Sequence, residues 1–238
     1  IIQLKNTFVN EIKKEEIYNV TKTYVEFVGY ELKFFAIQSF DKNMIVYKND
    51  FIKFTVYYFN PVIISLLPNS FYQPNIKMLK LYYEHFSRWI ELSKCKNMIN
   101  LGDDGGNICT ILNKSFVNMI SFFHCKQSFK CAEEMIKDNN IKNLSLTFDI
   151  NNCIQFDIFN KDIILFIDPG RKGLKDYEIH FIKNCKNIKN IIYLACNYNT
   201  FTKNKTKLDQ YEIIDQVELN VMPLTDKTQN LIYMNLIT

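Results

Sequence analysis

Two short runs, Asp162-Ile-Ile-Leu-Phe-Ile-Asp168 and Asn190-Ile-Ile-Tyr-Leu-Ala195, constrain the fold most. Neither alternates polar with apolar residues, and both are too short for an ordinary helix. A strand that is apolar at successive positions is covered on both faces, the situation of a parallel sheet with helices on each side. Each run stops at a residue with chemistry, Asp168 in one case and Cys196 in the other. In an open α/β sheet, ligands bind at the carboxyl ends of the strands, so these two stops are candidate site positions.

The rest of the chain fits that scheme. Asn75 to Ser93 reads as an amphipathic helix, with Ile76, Leu79, Tyr83, Phe86 and Ile90 at helical spacing. Strands are expected at Met98 to Leu101, Asn118 to Phe123 and Leu144 to Ile150. Helices are expected at Gln127 to Lys137 and Tyr177 to Asn184. Tyr211 to Met222 and Thr228 to Leu236 form a terminal strand pair, which leaves one strand antiparallel to an otherwise parallel sheet. Upstream, the chain to about Pro68 reads as strands, with β-branched and aromatic runs at Met44 to Tyr47, Phe51 to Phe59 and Val62 to Leu67. The expected organisation is a β-rich region over residues 1–70 and a Rossmann-like α/β domain over 71–238. The chain has 238 residues, of which 47% are hydrophobic and 23% charged, so it can bury a substantial core.

Function classes narrow next. The seven cysteines form no CxxC pair and His85, His124 and His180 have no ligand spacing, so a zinc site is not expected. An odd number of scattered cysteines suggests a reducing compartment, cytoplasm or an organelle such as the mitochondrion. No apolar run approaches the length of a membrane span of roughly 18 residues. The chain opens on Ile1 rather than Met, so a preceding segment is expected. A formal net charge of +4 permits RNA as a partner without requiring it.

Each motif has two readings. Cys196, at the end of a buried strand, is placed for a nucleophile; cysteine is also a common buried hydrophobe. Asp168 with Arg171 can bind a base, an amine or a phosphate, or form a structural ion pair at a turn. The turn Gly102-Asp-Asp-Gly-Gly106 can bring backbone close to a nucleotide, but its two acids exclude a phosphate loop. Lys203, Lys205 and Lys207 are a phosphate-gripping stripe or a solvated face.

Taken in order, four segments resemble the RNA uracil-C5 methyltransferase family, which acts on tRNA or rRNA. Ser70-Phe71-Tyr72-Gln73-Pro74-Asn75 is similar to the family's Ser-Phe-Phe-Gln-x-Asn. Asp168-Pro169-Gly170-Arg171-Lys172-Gly173-Leu174 is similar to Asp-Pro-Pro-Arg-x-Gly-Leu. Tyr193-Leu194-Ala195-Cys196-Asn197-Tyr198-Asn199-Thr200 is similar to Tyr-x-Ser-Cys-Asn-Pro-x-Thr. Met222-Pro223-Leu224-Thr225-Asp226-Lys227-Thr228-Gln229 is similar to Phe-Pro-x-Thr-x-His-x-Glu. The resemblance implies a class I, Rossmann-like fold and S-adenosyl-L-methionine as cofactor. It implies Cys196 as the nucleophile toward C6 of a flipped uracil, with Gln73, Asn100, Gly106, His124 and Asp168 around the cofactor. Arg171 and the three lysines would then face RNA. Three departures accompany it: Gln229 stands at the position of the general-base glutamate, Asn100 and Asp104 stand where the first strand has an acid and a glycine, and the ribose-binding acid position falls on His124 or Cys125. These departures imply an alternative, an inactive homologue retained as an RNA-binding subunit of a ribonucleoprotein such as an organellar ribosome.

Overall fold

The structure is a computed structural model that describes residues 16, 18–23, 27, 34–38, 44–49, 51–57, 60–67, 70, 76–102, 105–152, 161–220 and 228–237. The chain divides into two compact units, residues 1–54 with 65–69, and residues 55–64 with 70–238. In the first, β1 (Phe34–Gln38) pairs antiparallel with β2 (Met44–Asn49). Residues 18–23 are helical, which corrects the expectation of strands throughout the region before Pro68. Tyr18-Asn-Val-Thr-Lys-Thr23 alternates apolar with polar over its first four residues only, too short a stretch to specify a half-buried strand. β3 (Ile52–Tyr57) and β4 (Pro61–Leu66) form a second two-stranded sheet whose strands are shared between the units.

The second unit is built on a seven-stranded sheet. Its strands are β5 (Asn97–Gly102), β6 (Asn118–Phe122), β7 (Leu144–Thr147), β8 (Ile163–Asp168), β9 (Ile188–Ala195), β10 (Tyr211–Asn220) and β11 (Thr228–Leu236). Their order across the sheet is β10-β11-β9-β8-β5-β6-β7. β5 to β9 run parallel, and β11 is antiparallel to both β9 and β10. The α/β class and the terminal antiparallel pair follow the sequence expectation. The two apolar runs are β8 and β9, and Ile163 to Ile167 and Ile191 to Ala195 are all buried. Each fully buried aliphatic or aromatic side chain contributes about 1.5–3 kcal/mol. That explains why no polar residue interrupts Ile163 to Ile167, and why only the tyrosine hydroxyl does so in Ile191 to Ala195.

Helices cover the sheet. α1 (Ile76–Ser93) buries Leu79, Tyr82, Tyr83, Phe86, Trp89 and Ile90 along one face. Phe86 meets Phe166 of β8 edge-to-face at 5.2 Å, and Trp89 stacks on Tyr233 of β11 at 5.7 Å. The short α2 (Asn107–Ile111) follows β5, and α3 (Lys126–Asp138) follows β6. α4 (Asp176–Asn184) joins β8 to β9, and α5 (Tyr198–Lys207) follows β9. β7 stops at Thr147, short of the expected Ile150. There the Thr147 hydroxyl donates to the Asp149 carbonyl and accepts from the Asp149 N–H, at 3.1 and 3.0 Å, which bends the chain out of the sheet.

The connections run from β5 outward to β6 and β7 on one side and to β8 and β9 on the other. The switch point therefore lies between β5 and β8. This is where an open α/β sheet opens a crevice at the carboxyl ends of its strands.

Candidate functional site

Cys196 lies between the last residue of β9 and the N-cap of α5. Asn197 caps that helix, its side-chain oxygen accepting from the Thr200 N–H at 3.2 Å. Asn and Thr, which make up half of the helix that follows, are weak helix formers, so this cap matters to it. The cap and the strand end together fix the thiol at a sharp strand-to-helix corner, half-buried.

Gln229 reaches the same corner from β11. The ladder pairs Asn230 with Ala195, so the residue before Asn230 stands beside Cys196. Its Nε2 donates to the Cys196 Sγ at 3.0 Å. On its other side Oε1 accepts a very short hydrogen bond from the Tyr82 hydroxyl of α1. Tyr82 and Gln229 are only 3% and 8% exposed. Tyr82 is not among the apolar positions that the helical spacing singles out; the one signal it carries in the sequence is a hydroxyl beside that face.

Asp168 ends β8, opposite Gly102 of β5, and is half-buried. Burial pushes the Cys196 thiol up to about 11, and the charge of Asp168 pushes in the same direction. The Gln229 hydrogen bond and the positive charge of Arg171 pull it back down. Tyr82 and Tyr193 are raised by burial and, after it, by charges that include Asp168 and Cys196, so both phenols stay protonated donors.

The segment after Asp168 is docked on α5. Gly173 has φ +76, and a Cβ there would lie 2.4 Å from the Thr200 methyl and 2.5 Å from the Asn204 side-chain oxygen. That oxygen accepts from the Leu174 N–H at 3.0 Å and from the Tyr193 hydroxyl at 2.8 Å. Asn204, unnoticed in the sequence, thus ties the Asp168 turn, β9 and α5 into one frame. Arg171 stands exposed in this turn, its carbonyl accepting from the Thr200 hydroxyl at 3.3 Å.

Lys203, Lys205 and Lys207 sit on α5, and residues two apart on a helix face different ways. They do not make one row. Lys207 pairs with Asp176 at 2.8 Å, Lys205 reaches the Leu208 carbonyl at 3.4 Å, and Lys203 is exposed.

The other half of the crevice lies at β5 and β6. Asn100 is fully buried, and its amide donates to the Ser121 hydroxyl on the neighbouring strand at 2.9 Å. Gly106 caps α2 with φ +83, and a Cβ there would come within 2.7 Å of the Ala132 Cβ on α3, so only glycine lets the turn pack against that helix. His124 follows β6. Its Nε2 lies 3.0 Å from Oε1 of Glu178, which is 3% exposed on α4. Glu178 Oε2 also accepts from the Lys175 N–H at 2.6 Å. The Nδ1 of His124 faces the Lys175 ammonium and the Tyr177 hydroxyl, at 3.1 and 3.2 Å. The partner Glu178 lies 54 residues away in the chain, beyond any local motif. Gln73, Asp104 and Asp226 lie outside the described residues. Among the described residues no cluster could hold a metal ion, and no helix is long and apolar enough to cross a membrane.

Known proteins resemble this chain in family and in fold. A family model described as tRNA (Uracil-5-)-methyltransferase matches residues 8–235. An uncharacterised RNA methyltransferase of Fusobacterium nucleatum is 26% identical over 170 residues, covering 68% of this chain and 35% of that protein. A tRNA/tmRNA (uracil-C(5))-methyltransferase of Haemophilus ducreyi is 28% identical over 166 residues, covering 63% of this chain and 44% of its own length. The chain therefore spans between about a third and a half of these curated relatives. The structure of the Pyrococcus abyssi tRNA (uracil-54, C5)-methyltransferase, in complex with S-adenosyl-L-homocysteine, superposes with a TM-score of 0.70 at 17% identity. It covers 98% of this chain and 55% of that one, and shows that the fold is shared.

Proposed function

The chain belongs to the tRNA (uracil-5-)-methyltransferase family, and from that premise we propose that it acts on a uracil base of RNA through Cys196, with S-adenosyl-L-methionine as methyl donor. One observation carries the reading. The strand-end thiol of Cys196 is held by Gln229 at 3.0 Å within the influence of Asp168 and Arg171, at the edge where this fold binds ligands.

The residues of the crevice fit S-adenosyl-L-methionine, with one changed contact. The left-handed turn at Gly105 and Gly106 follows the central strand at the switch point, where backbone can approach a nucleoside. No carboxylate stands directly at the end of β6. His124 stands there instead, its Nε2 against Glu178 and its Nδ1 against the Lys175 ammonium and the Tyr177 hydroxyl, so a ribose hydroxyl would reach the ring nitrogen only by displacing one of those partners. Gly106 and His124 would hold the cofactor, which supplies an electrophilic methyl group when bound.

The protein's own chemistry follows from the thiol. With a pKa near 11, only roughly one molecule in ten thousand carries a thiolate at pH 7. Substrate binding changes that balance. A uracil imide N–H donated to Asp168 spreads the charge that holds the thiol up, while Arg171 and the Gln229 amide continue to favour the thiolate. Addition of sulfur to C6 then makes C5 nucleophilic. After C5 has taken a methyl group, release requires removal of its proton and elimination of Cys196. The Gln229 amide is not basic enough to take that proton. The site is therefore built for addition and slow in release.

The test begins with calorimetric titration of S-adenosyl-L-methionine. Micromolar binding is expected, followed by methyl transfer to uridine-containing RNA that Cys196→Ala abolishes. Absence of binding up to millimolar concentration would overturn the enzymatic reading. It would favour the second reading, an RNA-binding homologue without turnover, which Gln229 at the base position supports.

A further inference from the structure

Gln229 does more than lack basicity. A primary amide beside a thiol can face it with either its oxygen or its nitrogen, and the two orientations have opposite effects. The oxygen would accept the S–H and favour the thiol, whereas the nitrogen donates and favours the thiolate. Here the Tyr82 hydroxyl bears directly on that choice. It donates to Oε1, and Nε2 is directed at the Cys196 sulfur. Burial and the nearby Cys196 and Asp168 charges keep the phenol protonated and able to donate.

We propose that Tyr82 is a positioning residue for the nucleophile: from α1 it locks the Gln229 amide so that the former base position serves as a hydrogen-bond donor to the Cys196 thiolate. The inference rests on the reading of Cys196 as the nucleophile and extends it to a residue outside every motif. It also gives Gln229 a role of its own. A glutamate there would accept from Tyr82 equally well but would present a second negative charge, beside Asp168, to the sulfur. Among the described residues, the ionisable groups that act on Cys196 include Asp168 from β8, Arg171 from the turn after it, Tyr193 from β9 and Tyr82 from α1. Gln229, from β11, is the uncharged member that the phenol orients.

The test needs neither RNA nor cofactor. The full chain is alkylated with iodoacetamide across pH 7 to 11, and the Cys196 peptide is followed by mass spectrometry, with exposed Cys125 as the internal reference. Gln229→Leu is expected to slow Cys196 alkylation at pH 8.5 by roughly tenfold or more, the scale of a lost hydrogen bond to an ion. Tyr82→Phe, which keeps the ring in place, is expected to slow it by roughly three- to tenfold, because the amide then samples both orientations. The double variant should match Gln229→Leu alone. A Tyr82→Phe profile that superposes on the wild type overturns the proposal, and so do single-variant effects that simply add. An unchanged profile in Gln229→Leu overturns it as well. Circular dichroism of each variant reports whether the fold is intact. Because no methyl transfer is measured, failure of the methyltransferase reading and failure of the relay are separate results.

Discussion

The two halves of the crevice use polar side chains differently. At the β8–β9–β11 end, Tyr82 and Gln229 form a hydrogen-bonded chain to the Cys196 sulfur, and the charges of Asp168 and Arg171 act on the same thiol. At the β5–β6 end, Asn100 and His124 are bonded to the fold itself, to Ser121 on the next strand and to Glu178 on α4. The Asn100 amide nitrogen and the His124 ring, so bonded, exchange those bonds for bonds to a ligand with little net gain. In the proposed reading the first half serves the chemistry, and in the second ligand contacts fall mainly to backbone.

The sharpest way to break the first half is through its frame. Gly173→Ala places a Cβ 2.4 Å from the Thr200 methyl at a φ of +76. Strain and clash act together, and the turn carrying Asp168 must lift off α5. The expected cost is about 3 kcal/mol or more, read as a shift in the urea midpoint, with Cys196 alkylation perturbed in the same protein. No comparable loss is expected from Gly170→Ala, where φ is also positive but a Cβ meets nothing within 4 Å.

Next in size is Gln229→Glu, which converts the amide into a buried carboxylate. General-base catalysis typically contributes about 10²-fold or more, so methyl transfer to RNA should rise by about that factor if proton removal limits release. The same carboxylate raises the Cys196 pKa further, since it adds negative charge near the sulfur. Faster turnover at neutral pH combined with slower alkylation is the expected signature. A variant that gains neither turnover nor a raised thiol pKa would show that the amide is not at the proton's position.

Much of this was legible in the sequence. The apolar runs of β8 and β9 specify a strand buried on both faces, and the strand ends deliver Asp168 and Cys196 to one edge. The terminal pair Tyr211–Asn220 and Thr228–Leu236 was legible as well, and its register brings Gln229 to Cys196. What the sequence hid was hidden for physical reasons. α5 is half Asn and Thr, which are weak helix formers, and depends on the Asn197 cap and on Asn204, whose side chain binds two other elements. Tyr82 is indistinguishable from its apolar neighbours until the helix is docked. Glu178 meets His124 only because α4 crosses the end of β6. The spacing of Lys203, Lys205 and Lys207 suggests one row only if the backbone is extended.

The second half of the comparison is sharpened by His124→Asp. A carboxylate in that place supplies the ribose acceptor, yet it faces Glu178, which is already buried and bonded to the Lys175 N–H. Loss of the His124–Glu178 bond and like-charge repulsion should cost about 1–3 kcal/mol of stability, measured by urea denaturation. Adding Glu178→Gln to His124→Asp removes the repulsion and should recover part of that loss. If calorimetry then shows tighter S-adenosyl-L-methionine binding in the double variant than in the wild type, the His124–Glu178 bond is what weakens this half.

Asp168→Asn is the smallest and most discriminating change, because Asp168 acts in two ways with opposite consequences. Its charge raises the Cys196 pKa, second only to burial. Removing that charge lowers the folded-state pKa, so the alkylation profile of the free protein should move toward lower pH by about one unit at most, the scale of one partly screened neighbour. The thiol becomes more reactive in isolation. Asparagine also presents a weaker acceptor to a uracil imide, so RNA-dependent activity should fall even as alkylation rises. Opposite movement of the two readouts would show that the charge couples base recognition to thiol activation. Parallel movement would reduce Asp168 to an electrostatic neighbour and leave the Tyr82–Gln229 pair as the main tuning device of this half.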